Sequence, residues 1–159
     1  MLAATISALI APAEVSANNA EPQHDLVFAT DPSSTVRAAG YGASANLGPC
    51  TLFPSKIHPR TSRPGYIGPK PYTRCKVPVT SIHQDTELVY EWYAWWKKAL
   101  EESGGNKKVR NHTQRTVEFK CRDAESTVWA GSTAGAVVYQ GNTYYARVWQ
   151  KPVRLACGG

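Results

Sequence analysis

The sequence predicts a mainly β, antiparallel domain stapled by two disulfides. Three observations carry this. Short runs in the second half alternate apolar and polar residues, the period of a half-buried strand. Five prolines (Pro54, Pro59, Pro64, Pro69 and Pro71), with Pro49 just before Cys50 as a sixth of the wider region, crowd one stretch and exclude both helix and central strand over 54–71. Four cysteines, Cys50, Cys75, Cys121 and Cys157, are spread along the rest of the chain.

At the N-terminus, Leu2 to Ala13 is almost wholly apolar or small, and Val15-Ser16-Ala17 places small residues where signal peptidase reads them. An export signal is expected over 1–17, cut after Ala17, with Ala20 as the second choice. The apolar stretch is too short to span a bilayer. No Lys or Arg precedes it, so the natural start is expected further upstream. Residues 18–47 are polar, rich in Ala, Gly and Ser, and aperiodic. They read as a disordered, flexible tail in which Leu26-Val27-Phe28 could add an edge strand. The folded domain is expected over 48–159.

Residues 54–71 read as an extended surface loop crossed by short edge pairings. Residues 86–103 (TELVYEWYAWWKKALEES) fit two periods. As a helix, Leu88, Trp92, Trp95 and Ala99 share a face, Ser81 or Asp85 could cap it, and Gly104-Gly105 would stop it. As a strand, Leu88, Tyr90, Trp92, Ala94 and Trp96 share a face, and aromatics suit sheets. The residues alone leave both open: strand over 86–92 and one short helix near 93–103, or strand further on.

Downstream, Arg115 to Cys121 alternates, with Val117, Phe119 and Cys121 on one side. Thr127–Ala130 reads as a short strand ended by Gly131. Ala136–Tyr139, a Gln140-Gly141-Asn142 turn and Thr143–Trp149 read as a hairpin. Val153–Cys157 alternates again and closes the chain.

The cysteines stand 25, 46 and 36 residues apart in turn. No two lie close enough for a zinc knuckle or a Cys-x-x-Cys redox pair, so two structural disulfides are expected. Three pairings are open. The sequential one, Cys50–Cys75 with Cys121–Cys157, is preferred because each loop then closes within one half of the domain. Each bridge would remove on the order of 3–4 kcal/mol of unfolded-state entropy.

Of the 159 residues, 42% are hydrophobic and 19% charged, enough for one modest core that disulfides would reinforce. The net charge of +6 favours anionic partners such as cell-wall polymers, lipid headgroups or nucleic acid, though nothing specifies nucleic acid.

The layout resembles a group of small secreted actinobacterial proteins with two disulfides, mostly uncharacterised. The matching parts are Cys50, the stretch from His58 to Ile67 (HPRTSRPGYI), Cys75, and Thr80-Ser81 before an aromatic strand. The strand ending at Cys121, the Val128–Gly135 segment, the Tyr-rich hairpin and Cys157-Gly158 follow. The resemblance covers 48–159. It implies a compact immunoglobulin-like β-sandwich with bridges near its two ends, tilts 86–96 toward strand, and carries over no catalytic residue.

Chemistry-bearing motifs are sparse. His24, His58, His83 and His112 are scattered, without the spacing of a metal site. Asp85 and Glu87 would share a strand face, and a pocket lined by them and His83 is the first feature to look for in a small hydrolase. No Gly-x-Ser-x-Gly elbow or phosphate-cradling loop is present, and no cofactor is implied. Asn111-His112-Thr113 matches a glycosylation acceptor. The remaining candidates are an aromatic cluster (Tyr90, Trp92, Tyr93, Trp95 and Trp96) and a basic run (Lys97, Lys98, Lys107, Lys108, Arg110 and Arg115). Together they suggest a surface for an anionic cell-envelope polymer or a protein partner. The expectation is a secreted or cell-wall-associated, non-catalytic binding module. A bacteriocin-like effector, an enzyme inhibitor and a small hydrolase are the alternatives.

Overall fold

The computed structural model describes residues 26–29, 36–37 and 47–159. The expected signal segment, most of the 18–47 stretch and His24 lie outside them. The described residues are all-β, with no helix. In chain order the strands are β1 (Leu26–Ala29), β2 (Val36–Arg37), β3 (Leu47–Phe53), β4 (His58–Pro59) and β5 (Tyr66–Gly68). There follow β6 (Tyr72–Trp92), β7 (Trp95–Thr113), β8 (Phe119–Lys120), β9 (Ser126–Tyr139) and β10 (Asn142–Ala156).

One antiparallel sheet runs β10-β9-β6-β3-β1-β2, with β7 on the other edge of β6. The sheet curls until β1 meets β10, Ala29 opposite Tyr145, so its two halves face each other as in a compact sandwich. The short strands β4, β5 and β8 form a second sheet from the proline-rich loop and the segment before Cys121. Leu26–Ala29 is not an edge strand: it lies between β2 and β3, and Phe28 is fully buried.

β6 organises the molecule. Its first residues pair with β3, Cys50 opposite Cys75, and Ser81–Tyr90 pairs with β9. Along its other edge it pairs with β7, from Trp92 opposite Trp95 back to Tyr72 opposite Thr113. The register shift between Arg74 and Val79 spans Pro78, which has no N–H to give to a ladder.

The helix expected near 93–103 does not form. The strand stops at Trp92, turns, and returns as β7. Pairing with β6 gives one edge of this stretch a ladder, and Leu88 and Tyr90 on β6 enter the core. Ladder pairing with β6, whose Leu88 and Tyr90 are buried, thus overrides the helical propensity of Ala99–Glu102. Gly104 and Gly105 are not a helix stop. A Cβ at Gly105 would lie 2.4 Å from the Ile82 carbonyl oxygen, so glycine permits the close approach of β7 to β6.

Two other boundaries differ from expectation. Only Phe119–Lys120 of the 115–121 run forms a strand. Val117 is buried off the ladder, and its carbonyl sits where a Cβ on Gly68 would be. The strands expected at 127–130 and 136–139 are one strand, β9, continuous through Gly131 and Gly135. The β9–β10 turn forms at Gln140-Gly141, both at positive φ.

The sequential disulfides are present, Cys50–Cys75 and Cys121–Cys157. Each anchors one apolar cluster. The first gathers Phe28, Leu52, Val79, Ile82, Val137 and Val148 around Cys50–Cys75. The second gathers Ile57, Ile67, Leu88, Tyr90 and Trp129 around Cys157, with Cys121 partly buried against it. Trp129 packs against Tyr90 and Phe119 and donates its Nε1–H to the Cys157 carbonyl at 3.0 Å.

A buried polar band separates the clusters. Inward positions of β6 run Ile82, Gln84, Thr86, Leu88; those of β9 run Val137, Gly135, Thr133, Gly131, Trp129. Thr86 Oγ1 donates to Gln114 Oε1 at 2.6 Å and lies 2.9 Å from Thr133 Oγ1. Gln150 donates to Thr133 and Gln84 donates to Thr73. These bonds satisfy the threonine hydroxyls and the glutamine amide N–H donors, whereas Gln84 Oε1 and Gln150 Oε1 have no partner among the described residues.

Candidate functional site at the β6–β7 tip

β6 and β7 end in a two-residue turn, Tyr93-Ala94, closed by the Trp92–Trp95 pair. Tyr93 has φ 56°, the left-handed region that glycine and asparagine favour. A bulky residue there costs on the order of 1 kcal/mol, and nothing in the core requires it. The turn displays four large side chains: Tyr93 at 85% exposure, Trp95 at 73%, Trp96 at 46% and Trp92 at 41%.

Their directions follow from the register. Tyr90 points inward, so Trp92 and Trp95 continue that face beyond the end of the core. Trp96, opposite Glu91, points to the other face. The Trp92 and Tyr93 rings meet edge to face at 5.2 Å, and the Lys97 ammonium lies 4.5 Å from the centre of the Trp92 ring. Lys98 bonds Glu101 at 2.8 Å and lies 3.5 Å from Glu87. The hydrogen bond to Glu101, followed by the charges of Glu101 and Glu87, pushes its pKa up.

A cleft of about 550 Å³ lies on the inward side of the tip. Tyr90, Trp92 and Tyr93 line one side; Arg122, Asp123, Glu125 and Arg154 line the other. Asp123 Oδ1 accepts the Glu125 N–H at 2.8 Å, and the Arg122 N–H donates to the Gly158 carbonyl. Sequence reading missed these charged residues. Their signal was proximity to the cysteines: Arg122, Asp123 and Glu125 follow Cys121, and Arg154 precedes Cys157. Joining those cysteines brings all four together.

The structure divides the expected basic-aromatic surface. Tyr90 is buried against Trp129 rather than displayed. Lys97 and Lys98 sit beside the tip. Lys107 lies opposite Ser81, roughly 30 Å of extended strand away from Lys97. Lys108 and Arg110 share that far end, and Arg115 lies beyond the end of β7. Two further exposed aromatics, Tyr145 and Trp149, lie on the outward face of β10.

The acid–base candidates gather differently from a catalytic triad. His83 Nε2 lies 3.1 Å from Asp85 Oδ1, and the Ser103 hydroxyl donates to that same oxygen. Asp85 thus stands between serine and histidine, and among the described residues no hydrogen bond links His83 to a serine or threonine hydroxyl. Glu87 is beside Lys98. The depression at His83 is lined by Ser81, Gly105, Asn106 and Lys107, not by Asp85 or Glu87. His58 bonds the Lys56 carbonyl. Among the described residues no group of three His, Cys, Asp or Glu is placed to hold a metal ion, and no helix is long and apolar enough to cross a membrane.

Fold and site define an all-β, two-disulfide domain with an aromatic hairpin tip over a charged cleft. No family model matches the chain, and no curated protein or solved structure gives a match.

Proposed function

We propose that the protein is a secreted, non-catalytic binding module that engages the cell envelope through the β6–β7 tip. The observation that carries this reading is Tyr93-Ala94: a strained turn holding three tryptophans and a tyrosine in solvent. Exposed apolar side chains gathered at one point mark an interaction site, and aromatics supply large contact area at small entropic cost. The two disulfides, the apolar N-terminal stretch and the resemblance to secreted actinobacterial proteins favour an extracytoplasmic location. An enzyme inhibitor is the second reading. It is favoured by the shape of the tip, whose most exposed residue stands at the apex of a narrow hairpin and could enter a partner's pocket.

The test is sedimentation with a washed envelope fraction. The combined Trp92→Ala, Trp95→Ala, Trp96→Ala variant should lose binding while keeping its thermal midpoint. Changing Lys107, Lys108 and Arg110 together to alanine should leave most binding intact. Equal retention by both variants would refute the reading, and inhibition of a secreted hydrolase without envelope binding would favour the second.

A further inference from the structure

The arrangement of the tip aromatics narrows the envelope component. Trp92 and Trp95 occupy one face of the hairpin, Trp96 the other, and Tyr93 the end. A polymer lying along one face would leave the opposite aromatic in water. A fluid layer that surrounds the tip contacts all four.

The dimensions agree. Residues 92–96 carry no charge, and along the hairpin the first charged side chains are Glu91, Lys97 and Lys98; across the cleft Trp92 and Tyr93 face Arg122, Asp123, Glu125 and Arg154. From the turn back to Trp96 is two strand residues, about 7 Å. That falls within the roughly 5–10 Å to which interfacial elements sink into the headgroup layer. Tryptophan and tyrosine concentrate at that depth because one end of each ring is apolar and the other polar. The Lys97 ammonium itself lies over the Trp92 ring, 4.5 Å from its centre, at the base of the tip. The Glu91 carboxylate at the same level opposes deeper entry.

We infer that the β6–β7 tip inserts into the lipid–water interface of a membrane, with Trp92, Tyr93, Trp95 and Trp96 at headgroup depth and Lys97 and Lys98 facing lipid phosphates. This rests on the reading that the tip is the envelope-binding element.

The full chain is titrated with phosphatidylcholine vesicles and with vesicles containing phosphatidylglycerol. Binding is followed by tryptophan emission and by quenching from brominated acyl chains. Trp129, buried, and Trp149, exposed on β10 away from the tip, are present in every variant and supply the background. The expected result is a blue shift with both vesicles, tighter with the anionic ones, and at least about tenfold weaker binding when Trp92, Trp95 and Trp96 are alanine. Lys97→Ala and Lys98→Ala should each weaken anionic binding about fivefold and leave phosphatidylcholine binding unchanged. If the triple variant folds poorly, Trp95→Ala alone carries the comparison. No emission change and no co-sedimentation with either vesicle overturns the inference, as does tip-dependent binding to insoluble cell-wall glycan in its place. Either result leaves the envelope reading standing, whereas envelope binding indifferent to the tip would remove that reading itself.

Discussion

His112 and Arg60 show how single residues set the behaviour of this fold. His112 is buried on β7, and neither ring nitrogen has a hydrogen-bond partner among the described residues. Burial, and then the nearby His83, push its pKa down. The unfolded chain therefore takes up a proton below pH about 6.5 that the folded chain resists. Stability should fall as pH drops through that value. Thermal midpoints from pH 7.5 to 5 should decline less steeply in His112→Phe than in the parent; parallel slopes would contradict this. Arg60 is a second buried ionisable group. Its Nη2 donates to the carbonyls of Pro69 at 2.8 Å and Val117 at 2.7 Å, and Glu118 lies 3.7 Å from Nε. Arg60→Met would orphan both carbonyls, at about 1–3 kcal/mol each, and should lower the unfolding midpoint in urea. A midpoint equal to the parent's would show that the proline-rich loop is held by other means.

At the scale of elements, the β6–β7 hairpin carries both the fold and the site, and it was only half legible. The aromatics of 86–92 advertised a strand. Residues 97–103 are good helix formers, and only the presence of β6 beside them makes a ladder the better outcome. Gly105 was readable as a stop because contact with the Ile82 carbonyl is a tertiary fact. Gly105→Ala should cost roughly 1–3 kcal/mol, measured as a drop in unfolding free energy. A neutral substitution would mean that β7 can shift away from β6 freely. The β9–β10 hairpin was legible because alternation and turn chemistry agree there. The polar band was half visible: extending the strand face of Leu88 and Tyr90 backward lands on Thr86 and Gln84. A polar residue at an inward parity reads as a strand end until its hydrogen-bond partners are known.

For the whole molecule, two apolar clusters with one disulfide each and a polar band between them suggest two units of different stability. The charged half of the cleft hangs on Cys121–Cys157, whereas the cluster with Phe28 and Ile82 hangs on Cys50–Cys75. Replacing Cys121 and Cys157 with alanine removes a bridge worth on the order of 3–4 kcal/mol on the loop model. Amide exchange should then accelerate over 119–126 and 153–157 while β3 and the start of β6 stay protected. Uniform acceleration would show a single cooperative unit. The cleft was illegible because its four charged residues meet only through that bridge; the aromatics of the tip were legible because they are adjacent in sequence, but the turn that carries them was not, since a helix near 93–103 was left open.

The central claim is that the strained aromatic tip is kept for binding and not for folding. Tyr93→Asn separates the two roles, because asparagine tolerates the φ of 56° that tyrosine resists. Measured on one preparation, its thermal midpoint should rise, by an amount equivalent to about 0.5–1 kcal/mol, while its affinity for the envelope fraction falls. A lower midpoint with unchanged affinity would contradict the account.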